Sequence, residues 1–466
     1  MTIDRRTFFS LAGGAVAGGA VAGGTGSALV LPFAQPPAFN SADTAPPANC
    51  CGLTVNVRAH PYAAKGDGRT NDTAAIMSAV NAVAAAGGGV IDLPAGTYLV
   101  DSIRIPRIRG GTIRFVGQGW SLDAGANTRL VSASASPMFV PAGGVNGLEL
   151  SLVHLDGNNL GTYGWYGKDG NKARLLNVLV DRFTTCGIYF NQGLCELRQS
   201  YVRNNKGTGV RVYSDSWISG SEIGSNVGVG LIVASGGNRI TDNLINSNDS
   251  HGIHITGQSA HNNLINSVIG GYLGENIGQN IMIEGKSPGD RNVGYTSIIG
   301  CFIQQVGPKK AGGIAVRSAR QVQIMGINYL GGPTDTGCIR MESCDSSQII
   351  GVASSFSSGN VVRLIGCDDI SVSNVTSRDN GSPQAKVDDT YAIFVDANCH
   401  RCSVTDLHVT DARAQSHARG VKNLGVSTVV VGSYSFTGAR DPNSFGDAAV
   451  MTYDVQSKRW ITQPGR

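Results

Sequence analysis

The chain has 466 residues, of which 64 are Gly and 16 Pro, and only 15% are charged. Its formal net charge is +4 and no arginine-rich run or basic tail concentrates it, which excludes an electrostatic nucleic-acid binder. Asn, Ser, Thr and Gly fill the gaps between short apolar triplets, a composition that excludes a helical bundle and suits short strands joined by tight turns.

Residues 1–50 read as an address and a linker. Asp4-Arg5-Arg6-Thr7-Phe8-Phe9 carries the twin-arginine pattern, and a weakly hydrophobic stretch follows from Leu11 to Leu31. Seven glycines in that stretch make it a poor membrane span. The expectation is export by the twin-arginine route to the periplasm or beyond, with no stable membrane span. Cleavage is expected between Ala28 and Ala48.

Residues 51–100 read as a capping unit. Val55-Asn56-Val57 alternates as a strand, and Ala63-Ala64-Lys65-Gly66-Asp67-Gly68 reads as a turn. Asn71 or Asp72 is placed to cap a helix in which Ala75, Ile76, Ala79, Val80 and Val83 make one apolar face. Gly87-Gly88-Gly89 stops it. Val90 to Tyr98 returns as a strand, a turn and another strand.

From about residue 100 the strands continue, first irregularly as Ile103-Arg104-Ile105, Ile113-Arg114-Phe115-Val116 and Leu148-Glu149-Leu150. A repeat of about 22 residues then carries one apolar triplet per copy, from Ile188-Tyr189-Phe190 through Ile253-His254-Ile255 to Ile393-Phe394-Val395. Units this small cannot bury their own apolar faces and must stack. The first and third residues of each triplet point inward, and successive coils run parallel. The predicted fold is all-β: a right-handed single-stranded parallel β-helix over residues 51–431, with an N-terminal amphipathic capping helix. Residues 432–466 form a C-terminal tail or cap; a homotrimer through this segment is compatible with the sequence but not required by it.

Ten cysteines in an exported chain raise a disulfide reading. Cys344, Cys367 and Cys399 instead recur at nearly the same phase of successive coils, which predicts a buried column of thiols about 4.8 Å apart. A disulfide between neighbours in that column is geometrically allowed. Cys399-His400-Arg401-Cys402 has C-x-x-C spacing but no second pair at zinc-site spacing, so no metal is assigned.

The stretch Lys65-Gly66-Asp67-Gly68-Arg69-Thr70-Asn71-Asp72, with Gly87-Gly88-Gly89-Val90-Ile91-Asp92-Leu93-Pro94-Ala95-Gly96-Thr97-Tyr98, resembles the opening of the pectate lyase superfamily domain. This is the pectin-lyase-like type shared by rhamnogalacturonase-like and epimerase-like proteins. The resemblance implies a β-helix acting on an extracellular polysaccharide, by lyase, hydrolase or C5-epimerase chemistry or as a tailspike-like binder. Leu155-Asp156-Gly157-Asn158 is similar to an early coil of mannuronan C5-epimerases. Those enzymes carry a Tyr-Gly-Phe-Asp-Pro-His stretch where this chain reads Ile188-Tyr189-Phe190-Asn191-Gln192-Gly193, without the Asp and His. The only Asp-Asp resembling a polygalacturonase site, Asp368-Asp369, lacks the following Gly-His-Gly.

Outward positions on one strand row form a long shallow face suited to a sugar chain. The catalytic candidates are Asp249, His251 and His254, the densest ionisable cluster, with Glu284 as a second carboxyl and Arg340 as a uronate-facing base or cation. Substrate-binding candidates are Tyr163, Trp165, Tyr189, Asn191, Arg211, Tyr213, Arg317, Glu342 and Arg363. Tyr163, Trp165 and Tyr166 fall in a Gly-rich insertion and offer rings for sugar stacking. Arg317, Arg340 and Arg363 read as one column of guanidiniums, which favours an acidic ligand. Long coils at Gly257–Gly278, Gly285–Ala311, Ser377–Thr390 and Thr410–Arg419 are expected to wall the groove. No cofactor is evident from the residues; the resemblance implies Ca2+ if the reaction is elimination. The leading functional expectation is cleavage of an acidic polysaccharide by elimination or hydrolysis. A non-catalytic glycan-binding β-helix and a uronan C5-epimerase are the alternatives.

Overall fold

The computed structural model describes residues 52–463, apart from 109, 121–126, 170–171, 192, 258–264, 286–292, 306–311, 333–336, 382–390, 413–418, 433, 438–449 and 455–458. The expected export segment, the Cys50-Cys51 pair and parts of each of the four long coil segments therefore lie outside the described residues. Residues 51–466 form one compact unit.

The chain winds into a parallel β-solenoid of about 12 turns. Sheet 1 takes one strand per coil and has 13 strands, from Ile103–Ile105 to Arg419–Asn423. Sheet 2 takes the rest of each coil. In the early coils this is two short strands; later they fuse into the eight-residue strands Gln323–Leu330, Gln348–Ser355, Ser371–Arg378 and Ser403–Thr410. Each fused strand bends at a residue in the left-handed region: Gly326 at φ 64°, Gly351 at 68°, Asn374 at 54° and Asp406 at 55°. Gly and the short amide or acid side chains tolerate that region, so the coil turns a corner without losing its ladder.

Packing follows the period of two. Inward residues of every triplet, from Ile188 and Phe190 to Ile393 and Val395, are buried. The first coils are filled by aromatic rings: Phe115 meets Phe139 edge-on at 5.2 Å, and Phe139 stacks on Trp165 at 5.9 Å. Strands of sheet 1 begin at Ile103, well before the clean sequence repeat, because these larger side chains disguise the triplet pattern.

Polar ladders run through the corners. Asn226 Oδ1 accepts from both the backbone N–H and the Nδ2 of Asn205, at 3.1 and 2.9 Å. Asn248 does the same for Asn226, and Asn276 for Asn248. Buried backbone groups in the corners are thereby satisfied coil by coil. Toward the C-terminus the predicted thiol column is present: Cys399 Sγ accepts from the Cys367 amide at 3.3 Å. The eight described cysteines are all free and buried.

The open N-terminal end is closed by the helix α1, Thr73–Ala85, whose buried face is Ile76, Ala79, Val80 and Val83. One local expectation is corrected here and another is narrowed. Asp67–Asn71 is a strand paired with Gly96–Val100, not only a turn, because the Asp67 carboxylate takes the N–H groups of Arg69 and Thr70 and shapes an irregular strand start. Of the two capping candidates, Asp72 holds the N-cap position of α1 but its carboxylate binds the amides of Lys65 and Gly66, so the side chain that takes a first-turn N–H, that of Thr73, is Asn71. At the other end, Val450–Asp454 and Arg459–Gln463 form an antiparallel hairpin on the last parallel strands. Among the described residues no helix is long and apolar enough to cross a membrane.

Candidate functional site

The register of sheet 1 defines one outward row: Tyr166, Tyr189, Arg211, Ile232, His254, Met282, Ala315, Arg340, Arg363, Phe394 and Lys422. Ten coil steps of about 4.8 Å make it about 48 Å long. A second row, two residues further along each strand, runs Thr256, Glu284, Arg317, Glu342 and Ile365.

Charges interlock across the two rows. Glu284 lies 3.5 Å from His254 Nε2 and 3.6 Å from Arg317 Nη1. Arg317 Nε lies 3.4 Å from Glu342, and Glu342 lies 3.4 Å from Arg340 Nη2. The result is a relay His254–Glu284–Arg317–Glu342–Arg340 spanning four coils. Between His254 and Arg340 the floor is apolar, since Met282 and Ala315 are only 3% exposed. His254 Nε2 and Arg340 Nε are buried and make no hydrogen bond to any described residue.

The two imidazoles sit together, with ring centroids 5.3 Å apart. His251 Nδ1 accepts from the Gln279 amide at 2.9 Å, so the neutral ring carries its proton on Nε2. Burial pushes the His254 pKa down, and Glu284 opposes this only in part. Burial and then the neighbouring His254 push His251 down as well. Both rings are thus kept neutral, the form that accepts a proton.

Upstream lies an aromatic platform. Tyr166 stacks on Tyr189 at 5.6 Å, Tyr163 lies 4.5 Å from Tyr166, and Arg211 covers the Tyr189 ring at 5.7 Å. Tyr189 Oη donates to Asn191 Oδ1, which fixes that ring. Tyr213, half-buried, lies one coil beyond Asn191. Downstream, Arg363 covers Phe394 at 4.8 Å, and Lys422 approaches the same ring at 5.8 Å.

Three sequence expectations are corrected. Trp165 is fully buried and in register with Ile188 on the inward row, so it fills the core rather than meeting a sugar. The segment around it is a regular strand of sheet 1, Tyr163–Gly167, not an insertion. Arg317 is not in the Arg340–Arg363 column; it is in register with Glu284 and Glu342, because its triplet reads Ile314-Ala315-Val316 and places Ala315 in the first row. Asp249 is exposed, and no hydrogen bond or ion pair among the described residues joins it to His251 or His254. Glu284 takes that place. Phe394 and Lys422 are not singled out by the sequence analysis; the strand register that puts them in the first row is the signal that finds them.

A second cluster, on sheet 2, was not foreseen at all. His154, Asp156 and Asp181 are buried with ligand atoms within 4.8 Å of one another. His154 Nε2 bonds Asp181 at 2.8 Å, while Arg129 and Arg182 both donate to Asp156. Burial pushes Asp156 up, but Arg182 and Arg129 outweigh it and hold the carboxyl below its usual range. Two guanidiniums already fill the position a cation would take, so this is a closed ionic knot.

Two family models match parts of the chain. One, described as rhamnogalacturonase A/epimerase, pectate lyase-like, covers residues 54–130. The other, described as periplasmic copper-binding protein (NosD), covers residues 108–281. Within that second span the His154 cluster is the one described group of three ligands; it is oxygen-rich and occupied by arginines, a poor fit to copper, which favours thiolate, thioether or imidazole. No curated protein matches the sequence. A double-mutant tailspike protein of E. coli bacteriophage HK620, in complex with pentasaccharide, aligns with TM-score 0.57 and 12% identity, covering 81% of this chain and 80% of that one. A single-mutant form aligns with TM-score 0.56 and 12% identity over 86% and 80%. The A-module of an Azotobacter vinelandii mannuronan C-5 epimerase aligns with TM-score 0.47 and 16% identity over 83% and 96%. The pectate lyase-like opening and the structural neighbours together identify the fold as the pectin-lyase-like parallel β-helix.

Proposed function

We propose that this protein is an exported enzyme that binds an acidic polysaccharide along the outward rows of sheet 1 and cleaves it by β-elimination. The observation that carries this reading is the relay on four successive coils, with a neutral histidine at one end and guanidiniums at the other. A uronate carboxylate placed against Arg317 and Arg340 has its charge balanced, which acidifies the hydrogen on the adjacent ring carbon. The bare ring nitrogen of neutral His254 then takes that proton, the C–H electron pair forms the new C=C bond, and the bond to the leaving glycosidic oxygen breaks. We assign the protonation of the departing oxygen to His251, whose ring lies 5.3 Å from that of His254 and carries its proton on Nε2. Hydrolysis fits less well: Glu284 and Glu342 are two coils apart with the Arg317 guanidinium between them, where a hydrolase pair needs an open sugar ring. The guanidiniums fill the charge-balancing role that Ca2+ would otherwise serve, and the two carboxylates facing them are too few for a calcium cage. Export by the twin-arginine route accords with the Arg5-Arg6 pattern and with a family model described as periplasmic.

The tyrosine platform with Arg211 favours a second reading, a glycan binder without turnover, since rings and a cation suffice to hold sugar. Incubation with a panel of uronate and neutral polysaccharides separates the two. Ultraviolet absorbance from unsaturated ends supports elimination. Reducing ends without that absorbance indicate hydrolysis, and binding without either indicates the second reading.

A further inference from the structure

On sheet 2, away from the relay, two columns of outward residues flank a furrow. One column is made of strand residues in register: Ser297, Gln323, Gln348 and Ser371. The other is made of the bend residues just before those strands, Tyr295, Gln321, Ser346 and Asp369. All four are left-handed, with φ of 57°, 52°, 49° and 54°. Their amides bond the coil above in the same phase, so their side chains recur coil by coil. Between the columns the furrow holds about 390 Å³, lined by Tyr295, Ser297, Gln321, Gln323, Ser346 and Gln348. That volume is in the range of small-ligand sites.

The lining chemistry is selective. It contains three amides, two hydroxyls and one phenol ring, and no carboxylate, ammonium or guanidinium. Tyr295 lines the furrow and is 41% exposed, so part of its ring is open to a ligand. The neutral stretch ends one coil further on, where Arg401 grips Asp369 through two bonds of 2.8 Å. A coil rise of about 4.8 Å is close to the length of one pyranose in an extended chain, so each rung offers its polar groups to one sugar.

We infer that this furrow binds a neutral, hydroxyl-rich oligosaccharide, with Tyr295 as the stacking ring and the glutamine amides as hydrogen-bonding rungs. It shares with the reading of sheet 1 only the general class of ligand, and each is tested separately.

The test is isothermal titration of the full chain with cellohexaose, maltohexaose, mannohexaose and hexagalacturonate. At least one neutral hexasaccharide should bind. Tyr295→Asn, which keeps a residue tolerant of the left-handed bend, should weaken that binding about tenfold through loss of one aromatic contact. Gln348→Glu, on the strand surface, should weaken it too, while Arg340→Ala should leave it unchanged. Hexagalacturonate should show the reverse dependence. The inference is overturned if no neutral hexasaccharide binds at about millimolar concentration. It is equally overturned if folded Tyr295→Asn and Gln348→Glu bind like the unaltered chain, or if Arg340→Ala abolishes neutral-sugar binding.

Discussion

His254 shows how one side chain ties the sequence to a reaction. It points outward because its triplet neighbours Ile253 and Ile255 point inward, and it is kept neutral because Met282 and the flanking strands shield it from water. Its pKa is displaced below 6.5 by burial, so the base form persists to lower pH than for an exposed histidine. Two consequences follow with opposite readouts. The acid limb of kcat/KM should fall below pH 6.5, and a limb above that value would contradict the shielding seen here. Stability should also depend on these rings. The unfolded chain binds protons at His251 and His254 more readily than the folded one does, so folding stability is complete above the unfolded value. It declines as pH drops from 6.5 toward the depressed folded values. Chemical denaturation across that window, compared with His251→Gln and His254→Gln, measures it; a flat profile removes the claim. At this scale the sequence was only partly informative. The outward placement of His254, Glu284, Arg340 and Arg363 could be read from triplet phase. The loss of Trp165 to the core could not, because a glycine-rich strand looks like a loop. Nor could Glu284, distant in sequence, be recognised as the partner of His254 in place of the adjacent Asp249.

Elements here are coils, and what holds one coil to the next is mostly backbone ladder plus buried corner amides. Asn248 is a representative case. Its Oδ1 accepts twice from Asn226, and its Nδ2 donates to Ile223 O and to Asn276 Oδ1. Asn248→Ala should therefore cost about 1–3 kcal/mol, because the groups left behind are buried without partners. Equilibrium unfolding in urea reads this directly, and a change below about 0.5 kcal/mol would show that water replaces the amide. The ladder positions were latent in the sequence as Asn205, Asn226, Asn248 and Asn276, each five residues before the triplets that begin at Val210, Leu231, Ile253 and Ile281. The bent strands of sheet 2 were less legible, since the corner residue is Gly in some coils and Asn or Asp in others.

The whole molecule is a stack whose end must be closed. Helix α1 seals it through Ile76, Ala79, Val80 and Val83. A charge at Val80 forces that face open and exposes strand edges and apolar interior. Val80→Asp should convert the protein to a species that associates with rising concentration, followed by sedimentation velocity; a monodisperse, fully folded variant would show that the first coil seals itself. Stacking also explains why the fold was readable and the chemistry was not. A repeat fixes which residues share a row, and the phase of Ile314-Ala315-Val316 takes Arg317 out of the arginine column; neighbouring rows meet only through side-chain reach, and that is what lets Arg317 bridge two glutamates.

The most direct measurement is the release of unsaturated, ultraviolet-absorbing ends from uronate polymers by the unaltered chain and by His254→Gln. Steady release by the first and a loss of about 10²-fold or more in the second is the predicted result. Release by neither, or an undiminished rate in His254→Gln, would contradict it.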